Sequence, residues 1–434
     1  MSRSKTLSFK LHSYKSVKNW PIVALFSVLP IIDTLNGLFL QLPLGVLYKL
    51  GLCGLLFVIA IIKGRFKKKY IYIMLFSTLY ISFSIIVNIV LGFKLINSDY
   101  PIKLIFNIVL YCLLMNELQT NRMNGDSIYH ILNNSSWLLI ACFLFPYLLG
   151  VGNRVYGNEM GYKAFFISQN ELALIISVLV FFSAYKLIYR INIRNVINIA
   201  LLFLCGILLN TKTTIITCIL AIGMWILPII ARSKFKVKLS AVLVMIIGLF
   251  VFRNRLIMAI SNSYDRYSLL LTRHYEGSTL TGVLSARNYY LKDALENLNG
   301  SHTVLRGVIG NGFCSDILVE MDLCDIFFYL GTVGLIATIV FLFIIFKKSC
   351  KMSKKDNSLI RPVSFVTIVA LLTLAGHVLF MSMSGCFFVL YVCFLTMYER
   401  NPKNEKKNNP EISSDNESIL FREKNNVRNQ PSFN

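Results

Sequence analysis

The chain has 434 residues, of which 56% are hydrophobic and only 15% are charged, and its mean hydropathy is +0.63. So few charged side chains cannot cover the surface of a water-soluble protein of this size, which excludes a soluble globular domain. The formal net charge of +23 could suggest a nucleic-acid partner. The positive charge is divided among short segments, however, whereas nucleic-acid binding requires a contiguous basic patch with residues that read the ligand.

Apolar runs of about 17–23 residues recur along the chain and predict transmembrane helices. The first run follows a basic N-terminus and lacks a small-x-small cleavage site, which indicates an uncleaved span. We predict an all-α polytopic integral membrane protein with about twelve spans and one large outer loop between spans nine and ten. The predicted spans are 20–41, 43–62, 70–92, 101–118, 134–151, 168–188, 195–210, 213–231, 239–259, 326–346, 362–381 and 385–399.

The basic residues predict how these spans are oriented. With both termini in the cytoplasm, seven cytoplasmic segments hold 31 of the 44 Lys and Arg residues, in agreement with the positive-inside rule. Residues 1–19 then form a cytoplasmic N-terminus, and the Asn-, Lys- and Glu-rich residues 400–434 form a cytoplasmic tail that we expect to be disordered. The surplus positive charge faces anionic lipid, so membrane lipid is an expected partner and nucleic acid is not.

Two predicted outer segments, residues 152–167 and 253–325, carry the polar residues that could act on a substrate. The second is too long to be a plain connection. It holds one Lys and six Arg, whereas the cytoplasmic segments hold 21 Lys and 10 Arg. Lysine suffices for anchoring to a charged surface, but the planar guanidinium of arginine suits bidentate contact with phosphate. The contrast predicts phosphate binding on the outer side, with Arg287 and Arg306 as leading candidates.

Several short motifs occur along the chain in an order that is typical of one known family. They are FFISQNELAL (165–174), NTKTT (210–214), LSAR (284–287), Gly310–Gly312, Glu320-Met-Asp-Leu-Cys-Asp325, Gly331-x-x-Gly334 and Gly376-His377. Together with the span pattern and the large outer loop, they resemble the O-antigen polymerase/ligase superfamily of bacterial membrane glycosyltransferases over about residues 20–398. Ligase-type members have a His-Asn pair eleven residues before the GxxG. This chain has Glu320 there, so it looks more like the polymerases.

The resemblance implies a reaction and a place in the cell. Residues 20–399 would form a membrane glycosyltransferase at the outer face of the bacterial cytoplasmic (inner) membrane. It would join oligosaccharide repeat units carried on polyprenyl diphosphate, such as undecaprenyl diphosphate, into the O-antigen of lipopolysaccharide or a capsule. A flippase and a chain-length regulator would be its protein partners. The alternatives are a ligase that moves glycan to a lipid or cell-wall acceptor, and a flippase or transporter of the same substrates. The single large loop and the lack of paired halves favour an enzyme.

Transfer of a sugar from a lipid diphosphate to a hydroxyl needs fixed cations for the departing diphosphate and a base for the hydroxyl proton. Glu320 is the predicted base, and Arg287 is the predicted cation at the diphosphate. Asp322 is the third catalytic candidate. Asp322 and Asp325 lie where a span begins, however, so stabilisation of a helix N-terminus is the alternative for both. No cofactor is predicted, and no cluster for Mg²⁺ is obvious unless the acids of 320–325 provide one. Arginines could do the work of a metal ion.

Further residues are predicted to bind substrate, each with a structural alternative. Lys212 could snorkel to the interface, His377 could make a packing hydrogen bond, and Asn170 could cap a helix. Asp33 is also a candidate, because carboxylates inside a span are usually functional. The predicted substrate-binding residues are Arg154, Arg306, Arg273, Lys212, His377 and Asn170.

Two smaller features have open alternatives. The backbone of Gly310-Asn311-Gly312 could form a nest for phosphate, although a plain turn is the favoured interpretation. The ten cysteines show no metal-ligand spacing. Cys314 and Cys324 could pair in the outer loop, although two free thiols are favoured.

Overall fold

A computed structural model defines the fold of a large part of the chain. It describes residues 19–39, 44–62, 64, 66–96, 99–154, 161–189, 192–232, 287–298, 302–314, 318–356, 359–374, 376 and 379–398. The predicted ninth span, most of the predicted N-terminal segment and the predicted tail at 400–434 lie outside the described residues.

The described residues form helices and one short hairpin. The helices are α1 (Trp20–Ser27), α2 (Leu29–Leu38), α3 (Leu44–Ile62), α4 (Lys68–Val90), α5 (Asp99–Gln119), α6 (Gly125–Leu148), α7 (Gln169–Tyr189), α8 (Ile193–Leu209), α9 (Lys212–Arg232), α10 (Arg287–Leu298), α11 (Thr303–Ile309), α12 (Asp322–Asp356), α13 (Ile360–Leu374) and α14 (Ser382–Met397). Strands β1 (Asn153–Arg154) and β2 (Tyr162–Ala164) pair antiparallel between α6 and α7.

Seven helical segments among the described residues are long and apolar enough to cross a membrane. They are α1 and α2 taken together, α3, α4, α5, α6, α7 and α12. Helices α8, α13, α14 and the first part of α9 are apolar but shorter. The chain is therefore an all-α protein whose helices have the length and composition of a membrane-embedded protein, as the hydropathy pattern predicts.

Burial separates a central helix from peripheral ones. Helix α7 is apolar all round and almost entirely buried, because α6, α8, α9, α13 and α14 all pack against it. Helix α4 is as apolar as α7, yet many of its large side chains are exposed, including Tyr72, Phe76 and Val90. An exposed apolar face of this length suits a helix that faces lipid.

Helix α12 is bent sharply at Gly331, whose φ of 64° and ψ of −169° are not helical. Leu323 lies before the bend and Ile339 after it, yet both line one apolar groove of about 330 Å³ against α13. A straight helix would separate two residues sixteen positions apart by about 24 Å. The first turns of α12 therefore run back along the rest of the helix.

Polar contacts between helix ends join the bundle at one end, which we call the Arg361 end. The Asn19 side chain donates to the Arg122 carbonyl at 2.6 Å, and the Lys67 N–H donates to the side chain of Asn116 at 3.0 Å. The Arg361 guanidinium donates to the carbonyl that follows α14. These contacts join the ends of α1, α4, α5, α13 and α14.

The opposite end, which we call the Arg287 end, holds the starts of α7, α9, α10, α12 and α14. Its side chains also link separate helices. Arg287 contacts Glu320 at 3.1 Å, and Lys49 of α3 contacts Ser382 of α14 at 2.8 Å. Most of the residues that the sequence marks as functional, apart from those outside the described residues, lie at this end.

Candidate functional site at the Arg287 end

Two of the predicted catalytic residues form an ion pair. Arg287 Nη2 lies 3.1 Å from Glu320 Oε2, although 33 positions separate the residues. The Arg287 side chain is 12% exposed and the Glu320 side chain is 47% exposed. Lys212, a predicted substrate ligand, lies near enough to Arg287 for their charges to repel. The site therefore combines two cations with one accessible carboxylate.

Helix α10 holds Arg287 in place through its apolar face. Ala294 and Leu298 of α10 pack into a buried cluster with Val319, Met321 and Phe328, which surround the start of α12. Positions 294 and 298 are one helical turn apart and so share a face. This packing fixes the first residue of α10 beside the residue that precedes Met321.

The backbone at Glu320 is held in the left-handed region, with φ at 57°. This conformation costs an L-residue about 1–2 kcal/mol, so the surrounding contacts must compensate for it. The Glu320 carbonyl accepts the Gly376 N–H at 3.1 Å. The Asp325 carboxylate accepts the N–H groups of Val319 and Met321 at 3.0 and 3.1 Å. The turn that presents the Glu320 carboxylate is thus fixed on both sides.

Asp322 and Asp325 lie in the first turn of α12, and both are buried. Asp322 Oδ1 accepts the Leu379 N–H at 3.1 Å, and Asp325 closes the turn before the helix. These contacts match the structural alternative for both aspartates, because a buried carboxylate that accepts backbone donors stabilises a fixed loop. The catalytic role predicted for Asp322 stays a prediction. The hydrogen bond from the Leu379 N–H favours a role of Asp322 in holding the backbone.

The N–H groups of Gly310-Asn311-Gly312 are used inside the protein. That of Asn311 donates to the Phe328 carbonyl at 2.7 Å, and that of Gly312 donates to the Tyr329 carbonyl at 3.1 Å. The N–H of Gly310 caps α11. A phosphate nest needs these donors free, so the turn is the correct interpretation of this motif.

The glycines at 310 and 331 let two backbones touch where α12 bends. A Cβ on Gly331 would overlap the Val308 carbonyl, and one on Gly310 would overlap the Tyr329 carbonyl. Both residues have positive φ, which glycine adopts at no steric cost. Gly331, the first glycine of the Gly331-x-x-Gly334 motif, therefore serves a close approach of α11 to α12.

A polar stripe on α4 binds carbonyl groups at the bend of α12 and at the end of α11. Tyr80, Ser84 and Asn88 are spaced four residues apart and so share one helix face. Tyr80 donates to the Leu330 carbonyl at 2.7 Å, and Asn88 donates to the Gly310 carbonyl at 3.0 Å. Polar residues at this spacing in an apolar helix were a readable signal that sequence reasoning missed.

Arg306 is buried. It is 6% exposed, and its guanidinium stacks over the Phe93 ring at 4.4 Å. Burial lowers the pKa of Arg306 and raises the pKa of the neighbouring Cys314 thiol. Cys314 and Cys324 are both free thiols, as favoured from the sequence.

The other predicted substrate ligands are dispersed. Arg154 is exposed on β1, and β2 packs against α6 and α8. Asn170 is half-buried in the first turn of α7. Arg273 and His377 lie outside the described residues.

Sequence reasoning named Asn170 and its neighbour Glu171 at the start of a span, with helix capping as the structural alternative for both, but it did not consider Lys49. Glu171 Oε2 accepts the N–H groups of Met383 and Ser384 at 3.2 and 3.3 Å. A charged residue inside or beside a long apolar run needs a buried partner. This pattern, which both Lys49 and Glu171 show, was the available signal.

Among the described residues, no group of three or more His, Cys, Asp or Glu side chains could hold a metal ion. The sequence matches no protein-family model, and no curated protein is significantly similar to it. The function is therefore inferred from the chemistry of the Arg287 end and from the sequence motifs.

Proposed function

We propose that the chain is a membrane glycosyltransferase that polymerises oligosaccharide repeat units carried on polyprenyl diphosphate. The observation that carries the proposal is the ion pair between Arg287 and Glu320, with Lys212 close by. A largely buried guanidinium beside a half-exposed carboxylate provides an anion ligand and a base within one site. Ordered motifs that resemble the O-antigen polymerase/ligase superfamily support the same reaction.

The pair provides the two groups that the reaction needs. The diphosphate of the donor competes with Glu320 for Arg287, because phosphate oxygens accept the guanidinium bidentately. The Glu320 carboxylate is then released toward the acceptor. Lys212 adds a second positive charge where negative charge grows on the leaving diphosphate.

The proposed step forms one bond and breaks one bond. A hydroxyl oxygen of the acceptor unit attacks the anomeric carbon of the donor sugar while Glu320 takes the hydroxyl proton. The bond from the anomeric carbon to the diphosphate oxygen breaks, and polyprenyl diphosphate leaves with the electron pair. No cofactor enters this balance. The growing chain thereby passes to the next lipid-linked unit.

We place the Arg287 end at the outer face of the bacterial inner membrane. Twelve spans with both termini in the cytoplasm would put the lysine-rich segments at the Arg361 end against anionic inner-leaflet lipid. The large loop at 253–325 would then face the compartment where lipid-linked units are polymerised. A flippase that supplies these units and a chain-length regulator are the proposed partners.

The test uses a strain that lacks the gene and carries a plasmid copy of each variant. Arg287→Lys and Glu320→Gln should each abolish long polymer while the protein remains in the membrane. The matched controls are Lys292→Ala and Glu296→Gln, which alter an exposed pair on the same α10 helix. Full polymer length from either site variant would contradict the assignment of the site.

The material that accumulates separates the proposal from its two alternatives. Loss of a polymerase leaves single repeat units on their final acceptor. Loss of a ligase leaves long polymer on the lipid, and loss of a flippase leaves units stranded inside the cell. Either of the last two results would overturn the proposed polymerisation.

A further inference from the structure

We propose that Lys49 and Glu171 are positioning residues for the Glu320 carboxylate, which they reach through the connection between α13 and α14. The described residues of this connection are Gly376 and 379–384. The expected effect on catalysis, which we call the catalytic part, rests on the proposed function. The expected effect on the backbone of the connection, the structural part, can be measured without any activity.

The described residues of the connection are all buried or half-buried, so its backbone cannot rely on water alone for hydrogen bonds. Helices α13 and α14 have 15 and 16 residues, which span about 22 and 24 Å. The hydrocarbon core of a bilayer is about 30 Å thick. Irregular backbone at membrane depth is stable only where protein groups satisfy its N–H and carbonyl groups.

Side chains from four helices provide these hydrogen bonds at the described residues of the connection. Asn107 of α5 donates to the carbonyl groups of Leu379 and Met381 at 2.8 and 3.2 Å. Asp322 of α12 accepts the Leu379 N–H at 3.1 Å. The remaining two helices, α3 and α7, contribute Lys49 and Glu171.

Lys49 and Glu171 fix the point where the connection becomes α14. Lys49 Nζ donates to Ser382 Oγ at 2.8 Å, and Glu171 Oε2 accepts two N–H groups from the first turn of α14. A carboxylate at a helix N-terminus also interacts favourably with the helix dipole. Lys49 itself is 3% exposed.

The other end of the connection holds the backbone of Glu320. The Gly376 N–H donates to the Glu320 carbonyl at 3.1 Å, and Met321 pairs with Gly376 as in a parallel bridge. These contacts help to keep Glu320 in its left-handed conformation. A shift of the α14 start would therefore move the turn that presents the carboxylate to Arg287.

The positive charge of Lys49 balances negative charge on the acidic side chains around it. Asp33 of α2 is buried in the same surroundings as Lys49 and Glu171. Negative charge on both acidic side chains would be repulsive in a low-dielectric interior. A positive charge on Lys49 offsets this repulsion, in addition to the hydrogen bond that Lys49 donates to Ser382.

The structural part is tested by hydrogen exchange on the full-length protein in detergent micelles. Glu171→Ala removes the acceptor of two N–H groups, and it should speed exchange of the Gly376 and 379–384 amides by about tenfold or more. Glu171→Gln keeps a neutral acceptor oxygen and should restore most of the protection. Unchanged exchange at Gly376 in Glu171→Ala would overturn the inference.

The catalytic part is tested by kinetics on the same preparations. Glu171→Ala and Lys49→Met should lower kcat by about tenfold or more, because small misplacements of a reacting group are costly. KM for the lipid-linked unit should stay nearly constant, and Lys49→Arg should recover part of kcat. The control for general destabilisation is Tyr185→Phe at the Arg361 end, which should leave kcat unchanged.

The outcomes separate this inference from the proposed function. Faster exchange together with a lower kcat supports the inference. Faster exchange with an unchanged kcat, or an equal loss of kcat in Tyr185→Phe, contradicts positioning while the polymerase survives. A wild-type protein without polymerase activity refutes the proposed function, and the exchange at Gly376 then still decides whether Glu171 holds the connection.

Discussion

The two ends of the bundle each carry an arginine–carboxylate pair, and the pairs differ in how exposed the carboxylate is. At the Arg361 end, Nε of Arg361 lies 2.6 Å from Asp356 Oδ2, and both side chains are almost completely buried. Its remaining nitrogens donate to Tyr185 and to three backbone carbonyls, those of Phe394, Leu395 and Tyr398.

The pair at the Arg287 end is open by comparison. Arg287 contacts the half-exposed carboxylate of Glu320, whose own backbone is in the strained left-handed conformation. A second cation, Lys212, lies near it, whereas aromatic rings stack on Arg361. The same kind of residue pair can therefore have two uses. A fully buried pair locks helices together, whereas a guanidinium paired with an exposed carboxylate can exchange that carboxylate for a ligand.

Removal of Arg361 should destabilise the protein far more than removal of Arg287. Arg361→Met leaves Asp356 buried without its cation and should lower the free energy of unfolding by about 3–5 kcal/mol. Arg287→Met should lower it by less than about 1 kcal/mol, because Glu320 is half-exposed. Thermal and chemical unfolding in micelles measures both. Equal losses of stability would remove the distinction between the two ends.

The next effect tests the bend that shapes the Arg287 end. Gly331→Ala places a side chain at positive φ and against the Val308 carbonyl, so it should destabilise the protein by about 2 kcal/mol or more. Gly223→Ala is the matched control, since its Cβ would meet open space within helix α9. That control should be neutral or stabilise by about 0.5–1 kcal/mol. A tolerated Gly331→Ala would show that the bend is not required.

Glu320 allows stability and activity to be separated at one position. Glu320→Gly relieves the left-handed strain and should raise stability by about 1 kcal/mol, while polymer formation is lost. Glu320→Gln should lose polymer without this gain in stability. The two variants are compared by unfolding in micelles and by polymer length on gels. A Glu320→Gly variant that makes full-length polymer would show that the carboxylate is dispensable.

The smallest effect is expected at the exposed pair on α10. Lys292 and Glu296 lie 3.8 Å apart, with both side chains more than half exposed. Such a pair contributes about 0.5 kcal/mol or less. Lys292→Ala and Glu296→Gln should therefore change neither unfolding nor polymer length. A loss of polymer in either variant would show that charge on α10 in general, rather than Arg287, is what matters.

Hydropathy was sufficient for the class of the fold because membrane helices obey a one-dimensional rule of length and apolarity. The sequence also allowed Arg287 and Glu320 to be named as residues of one site, because transfer from a lipid diphosphate needs a cation and a base. The predicted catalytic role of Asp322 has little geometric support, because N-terminal helix positions favour acidic residues for structural reasons as well.

The roles of Lys49 and Glu171 could not be read from the sequence. Each depends on a partner more than two hundred positions away, and no local pattern encodes such a contact. Asn170 and Glu171 are adjacent, but neighbours on a helix point about 100° apart. A residue-by-residue resemblance therefore cannot say which of the two reaches into the bundle.

The proposed reaction requires Arg287 to bind a lipid-borne diphosphate, and a direct binding measurement tests this. Farnesyl diphosphate serves as a soluble probe, titrated against purified wild-type protein, Arg287→Lys and the Lys292→Ala control. Arg287→Lys should weaken binding by about tenfold or more, because a lysine cannot make the bidentate contact, while Lys292→Ala should bind like the wild type. Equal affinity in wild type and Arg287→Lys would contradict the account.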